Sequence, residues 1–196
     1  MILLLILGLI FTVFSYFFEI APGIALDVLP DFVGFLLIWH VGNKLEEKTK
    51  WFKEASIFAA ILAAIHFIGF ASSLRGLLPQ NTTFADSDIL RFILSGVGVV
   101  YENGYPIFYA LGFVPLIFLC LAFRKIAKRD DNRPLSAVCL VFLWIFIILI
   151  PVYIAVEFTA FPIEGWWLAV PIVAVFAIVS AIIMKKYKLD WKERKK

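Results

Sequence analysis

Residues 19–34 read Glu19-Ile-Ala-Pro-Gly-Ile-Ala-Leu-Asp-Val-Leu-Pro-Asp-Phe-Val-Gly34 and interrupt an otherwise apolar chain. The stretch contains three carboxylates, two prolines and two glycines between two apolar runs. Because proline cannot continue the hydrogen-bond ladder of a helix, a helix that begins at Ile2 is expected to end before Pro22. The stretch therefore predicts a bend between two apolar helices, with acidic side chains concentrated at the bend.

The rest of the chain has the composition of a membrane protein. Of its 196 residues, 63% are hydrophobic and 17% are charged, and the mean hydropathy is +0.96. Soluble domains are typically about 45–50% apolar and about 25% charged. A soluble globule of this size cannot bury such an apolar excess, so the lipid bilayer is the predicted environment. The net charge is only +3, and no basic patch is interleaved with exposed aromatic residues, so nucleic acid is not expected as a partner.

Six apolar segments predict six transmembrane helices in a single all-α domain, since about 20 mostly apolar residues cross a bilayer. The spans are expected at approximately residues 2–20, 28–43, 51–72, 106–123, 136–156 and 166–184. Asp27 is expected to be the N-cap of the second helix, because a capping carboxylate accepts hydrogen bonds from first-turn amides. Asp31 would then lie close to the positive end of the dipole of that helix.

The distribution of charge predicts the orientation in the membrane. The basic segments are 44–53, 124–133 and 185–196, and the positive-inside rule places them in the cytoplasm with both termini inside. This count requires that residues 89–101, which are apolar but short and include Arg91, do not cross the membrane. They are expected to lie at the outer interface or to re-enter the membrane, where protein or water must cover irregular backbone.

The third span contains small residues at helical spacing. Ala55, Ala59 and Ala63 recur every four residues, which lets two helices approach closely in lipid. Helix packing inside the protein is the first interpretation of this pattern. The alternative is a docking face for a membrane protein partner or a second copy of the chain.

The run Leu26-Asp-Val-Leu-Pro-Asp-Phe-Val-Gly-Phe-Leu-Leu-Ile38 resembles a pattern of small, largely uncharacterised integral membrane proteins of Gram-positive bacteria. In those proteins an apolar first helix precedes an Asp-x-x-Pro-Asp-Phe-x-Gly stretch and a short helix that ends in a charged loop. The matching residues are Asp27, Pro30, Asp31, Phe32 and Gly34. The resemblance implies a multi-pass protein of the bacterial inner membrane, and it brings no activity and no catalytic residue.

The predicted architecture is also similar to the substrate-binding S components of energy-coupling-factor vitamin transporters, which have a similar size, six spans and both ends inside. Those proteins typically carry a small-xxx-small pattern on the first helix for docking. Here the first helix lacks that pattern, and the alanines lie on the third. The likeness is therefore one of architecture.

Ionisable residues near the bend are the candidates for a binding site. Glu19, Asp27 and Asp31 are expected at the outer ends of the first two helices, where they would bind a cation, a proton or an amine-bearing solute. The structural alternative assigns Asp27 to helix capping, Asp31 to the helix dipole and Glu19 to interfacial water. His66 lies about two-thirds of the way along the third span and would reach Asp31 if the two helices pack together. Its alternative role is a hydrogen-bonded packing residue.

Arg91 and Glu102 lie at the two ends of the outer segment at residues 89–101 and are two further candidates for ligand binding. The alternative for both is simple solvent exposure. No catalytic residue, metal site or cofactor is predicted, because the sequence has no H-E-x-x-H, G-x-S-x-G or P-loop motif. The carboxylates and His66 could ligate a metal such as zinc, but their spacing over three helices is not diagnostic.

Three classes of function are compatible with these residues. The leading hypothesis is binding or transport of a small solute or ion through an outward-facing polar pocket. The second is a non-catalytic membrane accessory protein whose alanine face docks a partner, and the third is an intramembrane enzyme.

Overall fold

The computed structural model describes residues 1–13, 17–21, 24–27, 30–73, 104, 106–159 and 166–189. This part of the chain is a helical bundle with one short hairpin. Its elements in chain order are α1 (Ile2–Phe11), β1 (Phe17–Ala21), β2 (Ile24–Asp27), α2 (Asp31–Leu45), α3 (Lys50–Ser73), α4 (Phe113–Arg129), α5 (Arg133–Phe158) and α6 (Trp166–Lys186). Residues 106–111 are also helical and lead through Gly112 into α4.

The hairpin corrects the prediction of one helix over residues 2–20. After Phe11 the chain turns, and β1 then pairs with β2 in antiparallel register, with Glu19 opposite Ala25. Two residues, Pro22 and Gly23, separate the strands, which is a sequence pattern of tight hairpins. Short apolar runs fit a helix or a strand equally well, so the apolar composition up to residue 20 did not distinguish the two. The all-α prediction therefore omitted this hairpin.

The second helix begins at Asp31, four residues after the predicted N-cap Asp27. Pro30 occupies the N-cap position in an extended conformation, and its carbonyl accepts a hydrogen bond from Val33 N at 2.9 Å. A proline disfavours helical backbone in the residue before it, which explains why the helix does not extend back through Pro30 to Asp27. The capping role predicted for Asp27 is therefore wrong.

Helices that follow one another in the chain pack together, and α6 closes the bundle against α1. Phe52, at the start of α3, contacts Phe123 in the second half of α4, and Phe58, further along α3, contacts Phe118 in the first half, with ring centroids 5.6 and 5.2 Å apart. The two helices are therefore antiparallel. Segments 44–53 and 124–133 consequently lie at one end of the bundle, which we call the basic end.

The opposite end, which we call the hairpin end, contains the start of α2, the last turns of α3 and the end of α5. Glycine permits a close helix crossing there. A Cβ atom at Gly34 would lie 2.7 Å from the carbonyl oxygen of Gly8 and 2.8 Å from Thr12 Cγ2, so α1 and α2 touch backbone to backbone. This contact fixes the start of α2 against α1, and with it the position of Asp31.

Within the described residues, four helices are long and apolar enough to cross a membrane, judged by length and composition. They cover Lys50–Ala71, Pro106–Arg129, Arg133–Phe158 and Ala169–Lys186. Their outward faces are apolar, as shown by Ile61, Ile148 and Ile178, which are 51%, 57% and 61% exposed. A large exposed apolar surface is expected when lipid is the solvent, so the chain is of the membrane-protein class. The remaining two helices, α1 and α2, are shorter, with 10 and 15 residues.

Candidate functional site

A buried polar contact joins α2 to α3 at the hairpin end. Asp31 Oδ2 lies 3.5 Å from His66 Nδ1, and the two side chains are only 6% and 2% exposed. The contact is an ion pair when the imidazole is protonated. Among the residues whose burial is described, no other Asp, Glu, His, Lys or Arg is buried. The sequence places both residues in apolar helices, so this pair is the main polar feature of the described core.

Helical periodicity brings the two side chains together. On α2, Asp31 shares its buried face with Gly34, Phe35 and Ile38, at spacings of three, four and seven residues. On α3, His66 follows the buried Ala63 by three residues, so it lies on the face that packs towards α2. Each polar residue thus occupies a position where the helix pattern requires a core residue.

The start of α2 also favours a carboxylate at Asp31. The first amides of a helix have no intrahelical acceptor, and the helix dipole places partial positive charge at that end. Asp31 is the first residue of α2, so its carboxylate lies in this field. A carboxylate in that position gains about 0.3–1 kcal/mol at exposed sites and up to about 2 kcal/mol where partly buried.

Aromatic rings enclose the imidazole and extend the polar layer to α5. The His66 ring lies 5.1 Å from the ring of Phe35 and 6.4 Å from that of Tyr109, centroid to centroid. Tyr109 in turn stacks on Tyr153 of α5 with centroids 5.1 Å apart and an interplanar angle of 21°. Both tyrosines are buried, at 6% and 4% exposure. A chain of polar side chains, from Asp31 to Tyr153, therefore crosses the hairpin end of the bundle.

Sequence reasoning missed both tyrosines and the adjacent Glu157, because each lies in an apolar run with no motif around it. One signal was present. Tyr153 and Glu157 are four residues apart near the end of α5, so they lie on the same helix face. Glu157 is half-buried, which places a second carboxylate one helical turn beyond Tyr153.

The side chains of the other four predicted site residues lie outside the described part of the structure. Glu19 and Asp27 belong to the hairpin, of which only the backbone is described, and β2 contacts α3. Arg91, Glu102 and the whole segment 89–101 lie outside the described residues. Of the six predicted binding residues, Asp31 and His66 are therefore the two whose contact is observed.

The described residues contain no group of three or more His, Cys, Asp or Glu side chains that could hold a metal ion. Asp31 and His66 together offer one carboxylate oxygen and one imidazole nitrogen. Structural zinc sites almost always use four protein ligands, and catalytic sites use three. The described pair is therefore suited to a proton, a monovalent cation or an organic ammonium group.

The alanine pattern on α3 is buried in the bundle. Ala55 and Ala59 are 0% exposed and Ala63 is 4% exposed, and Ala63 shares a small buried cluster with Phe35 and Leu62. An apolar groove of about 360 Å³ lies between α2 and α3 and shares Ala63 with this face. Its lining comprises Phe32, Leu36, Trp39, Ala60, Ala63, Ala64 and Phe67.

A scan against protein-family models and searches of curated proteins and of solved structures gave no match to this chain.

Proposed function

We propose that this protein binds a small cationic or amine-bearing solute at the Asp31–His66 pair and that it acts as a solute-binding or transport protein of a cell membrane. The observation that carries the proposal is the burial of a carboxylate and an imidazole 3.5 Å apart in a bundle with an apolar exterior. No catalytic role is assigned to either residue.

The cost of burying these groups favours a binding role over simple packing. A buried ion pair is often less stable than well-packed apolar residues of similar volume, by about 1–4 kcal/mol. Ionisable residues within membrane proteins accordingly mark pathways for ions, protons or substrates. Packing alone would be served better by apolar side chains at positions 31 and 66.

The chemistry around the pair indicates the class of ligand. A carboxylate at the end of a helix attracts a cation, and aromatic faces attract cations at centroid distances up to about 6 Å. The rings of Phe35, Tyr109 and Tyr153 surround or extend the imidazole. A small ammonium group or a monovalent metal cation matches this combination of one acid and several aromatic faces.

We also propose the orientation of the six-helix domain. The basic end faces the cytoplasm, with both chain termini on that side, and the Asp31–His66 pair lies towards the outer surface. Four helices cross fully, whereas α1 and α2, with 10 and 15 residues, extend about 15 and 22 Å at 1.5 Å per residue and complete the bundle. Residues 89–101 lie at the outer interface or re-enter the membrane. A bacterial inner membrane is the location that fits the resemblance of the Asp-x-x-Pro-Asp stretch.

The proposal is tested by ligand-dependent thermal stabilisation of the purified protein in detergent. The panel contains lithium, sodium, potassium, tetramethylammonium, ethanolamine and putrescine at constant ionic strength. We expect at least one of them to raise the melting temperature of the wild type, and Asp31→Asn and His66→Gln each to abolish that shift. Glu46→Gln serves as the matched control, since it removes one carboxylate from an exposed position at the basic end. Equal shifts of the melting temperature in the wild type and the three variants would show that the pair is not part of the binding site.

Partner docking is the second candidate, and the apolar groove between α2 and α3 is the observation that favours it. The groove is lined in part by Ala60 and Ala64, which would allow a helix of another membrane protein to approach closely. Ala64→Leu would fill the groove from an exposed position. The docking hypothesis predicts that this variant loses a co-purifying membrane protein or a second copy of the chain while its own thermal stability is kept. An unchanged assembly state would contradict it.

A further inference from the structure

A groove of about 400 Å³ opens at the basic end of the bundle, between the end of α4 and the start of α5. Three cationic side chains line it, those of Arg124, Lys128 and Arg133. We propose that this groove binds the phosphate of an anionic phospholipid whose acyl chain lies along α5. The site is at the opposite end of the bundle from the Asp31–His66 pair, so this inference is independent of the proposed solute site and uses only the proposed orientation of the basic end.

The groove carries an excess of positive charge. Asp131 is the acidic residue among its lining residues, and Asp131 Oδ1 lies 3.4 Å from Arg133 Nε, with the side chains 85% and 89% exposed. Exposed ion pairs of this kind contribute only about 0–1 kcal/mol, so a phosphate competes readily for the arginine. Arg124 and Lys128 form no ion pair within the described part of the chain. Among the described residues, these two cations therefore remain for an anion.

Arg124 points to a missing hydrogen-bond acceptor. Its Nε atom is buried and has no hydrogen-bond partner among the described residues. A buried donor without an acceptor costs about 1–3 kcal/mol, and because this Nε atom is not accessible, the partly exposed remainder of the Arg124 side chain is what lines the groove. The planar guanidinium group matches two phosphate oxygens at once, and Ser136, which is 8% exposed, adds a hydroxyl group to the same lining.

The apolar part of the groove indicates a lipid and not a soluble anion. Ala137 and Leu140 line it beside the charged residues. From Ala137, one face of α5 continues through Val141, Trp144 and Ile148, at spacings of four, seven and eleven residues, and these three side chains are 57%, 56% and 57% exposed. An exposed apolar stripe thus begins where the cationic side chains end. A phospholipid likewise has a charged headgroup followed by an apolar acyl chain. Basic pockets between membrane helices on the cytoplasmic side bind anionic headgroups.

The test measures lipid binding to the purified full-length protein by native mass spectrometry. The probes are phosphatidylglycerol and phosphatidylcholine with the same acyl chains, and inorganic phosphate is added separately at the headgroup concentration. Arg124→Gln/Lys128→Gln removes one arginine and one lysine from the groove. Lys125→Gln/Arg129→Gln removes the same charges from exposed positions in the same segment that do not line the groove.

A second pair of variants leaves the charge unchanged and covers the case in which the arginine variant fails to fold. Ala137→Trp fills the groove from an exposed position, and Val138→Trp adds the same side chain at the exposed neighbouring residue, which does not line it. We expect Ala137→Trp to lose phosphatidylglycerol binding and Val138→Trp to keep it.

For the wild type we expect phosphatidylglycerol to bind about tenfold more tightly than phosphatidylcholine, since each basic residue near the membrane surface attracts anionic lipid. Arg124→Gln/Lys128→Gln should bind phosphatidylglycerol at least about fivefold more weakly than the matched variant Lys125→Gln/Arg129→Gln. Equal losses in the two charge variants would overturn the proposal, because the attraction would then belong to the whole basic end. Phosphate that displaces the lipid at the same concentration would also overturn it, by identifying a site for a soluble anion.

Discussion

Breaking the Asp31–His66 contact tests whether the two side chains act as a pair. The perturbation is a double-mutant cycle with Asp31→Asn, His66→Gln and the combined variant. Both substitutions keep a polar side chain of similar size and remove the ability to carry charge. Because the pair is buried, each single variant leaves the other ionisable side chain buried without its partner. The combined variant removes both ionisable groups.

The expected magnitude follows from the distance and the burial. When the imidazole is protonated, two unit charges 3.5 Å apart attract by about 5 kcal/mol at an effective dielectric constant of about 20, before the cost of desolvation. Breaking a buried pair by removing one partner typically costs about 3–5 kcal/mol. A neutral hydrogen bond between membrane helices couples two residues by only about 0.6 kcal/mol on average. We therefore expect a coupling energy above about 1.5 kcal/mol for a charged pair.

The assay is equilibrium unfolding in mixed detergent micelles, followed by circular dichroism. The same two helices supply an internal standard, because Ser56 Oγ donates a hydrogen bond of 2.7 Å to Asn43 Oδ1. A second cycle with Asn43→Ala and Ser56→Ala measures the coupling of that neutral pair between α2 and α3. We expect the Asp31–His66 coupling to be at least about twice the standard. Single-variant effects that simply add, or a coupling no larger than the standard, would refute the expectation that the two side chains act as a pair.

Three further predictions concern the bundle and its orientation. Gly34→Ala should destabilise the protein by about 1–3 kcal/mol and by more than Gly8→Ala does. The reason is that an added Cβ atom would lie 2.7 Å from backbone at Gly34 and 3.1 Å from backbone at Gly8. Equal melting temperatures of the two variants would contradict the close crossing. Ala63→Leu should lower the melting temperature because this residue is 4% exposed, whereas the exposed Ala64→Leu should not, and equal effects would contradict the packing. Cysteine labelling of intact cells should separate positions on the two sides of the membrane, and labelling of position 132 from outside would contradict the proposed orientation. The positions to compare are Lys48, Asn132 and Lys192, expected inside, with Asn81 and Glu164, expected outside.

Several helices were predictable from the sequence because sustained apolar runs leave no alternative to a helix in lipid. The span expected at residues 51–72 corresponds to Lys50–Ser73, and the span expected at 136–156 corresponds to Arg133–Phe158. At the basic end, α4 continues to Arg129, beyond the end expected at residue 123, because charged residues there continue the helical backbone into water. The approach of His66 to Asp31 could also be anticipated, since a short connection makes α2 and α3 antiparallel neighbours.

The remaining features depended on information that a linear pattern does not contain. The hairpin lies in a region where a short apolar run is compatible with strand or helix, and the pairing of β1 with β2 decides between them. Tyr109 and Tyr153 are 44 positions apart by residue number, and only the packing of helices from different parts of the chain stacks their rings. The groove at Arg124 likewise needs two helices, because it lies where the end of α4 meets the start of α5.

The most direct test of the central claim is the dissociation constant of the most stabilising cation or amine from the panel, measured by isothermal titration calorimetry at constant ionic strength. A charge-assisted interaction contributes about 1.5–3 kcal/mol, so Asp31→Asn should weaken binding by at least about tenfold. Glu46→Gln, which makes the same chemical change at an exposed position of the basic end, should leave the constant unchanged. A dissociation constant for Asp31→Asn equal to that of the wild type would contradict the assignment of the Asp31–His66 pair as the binding site.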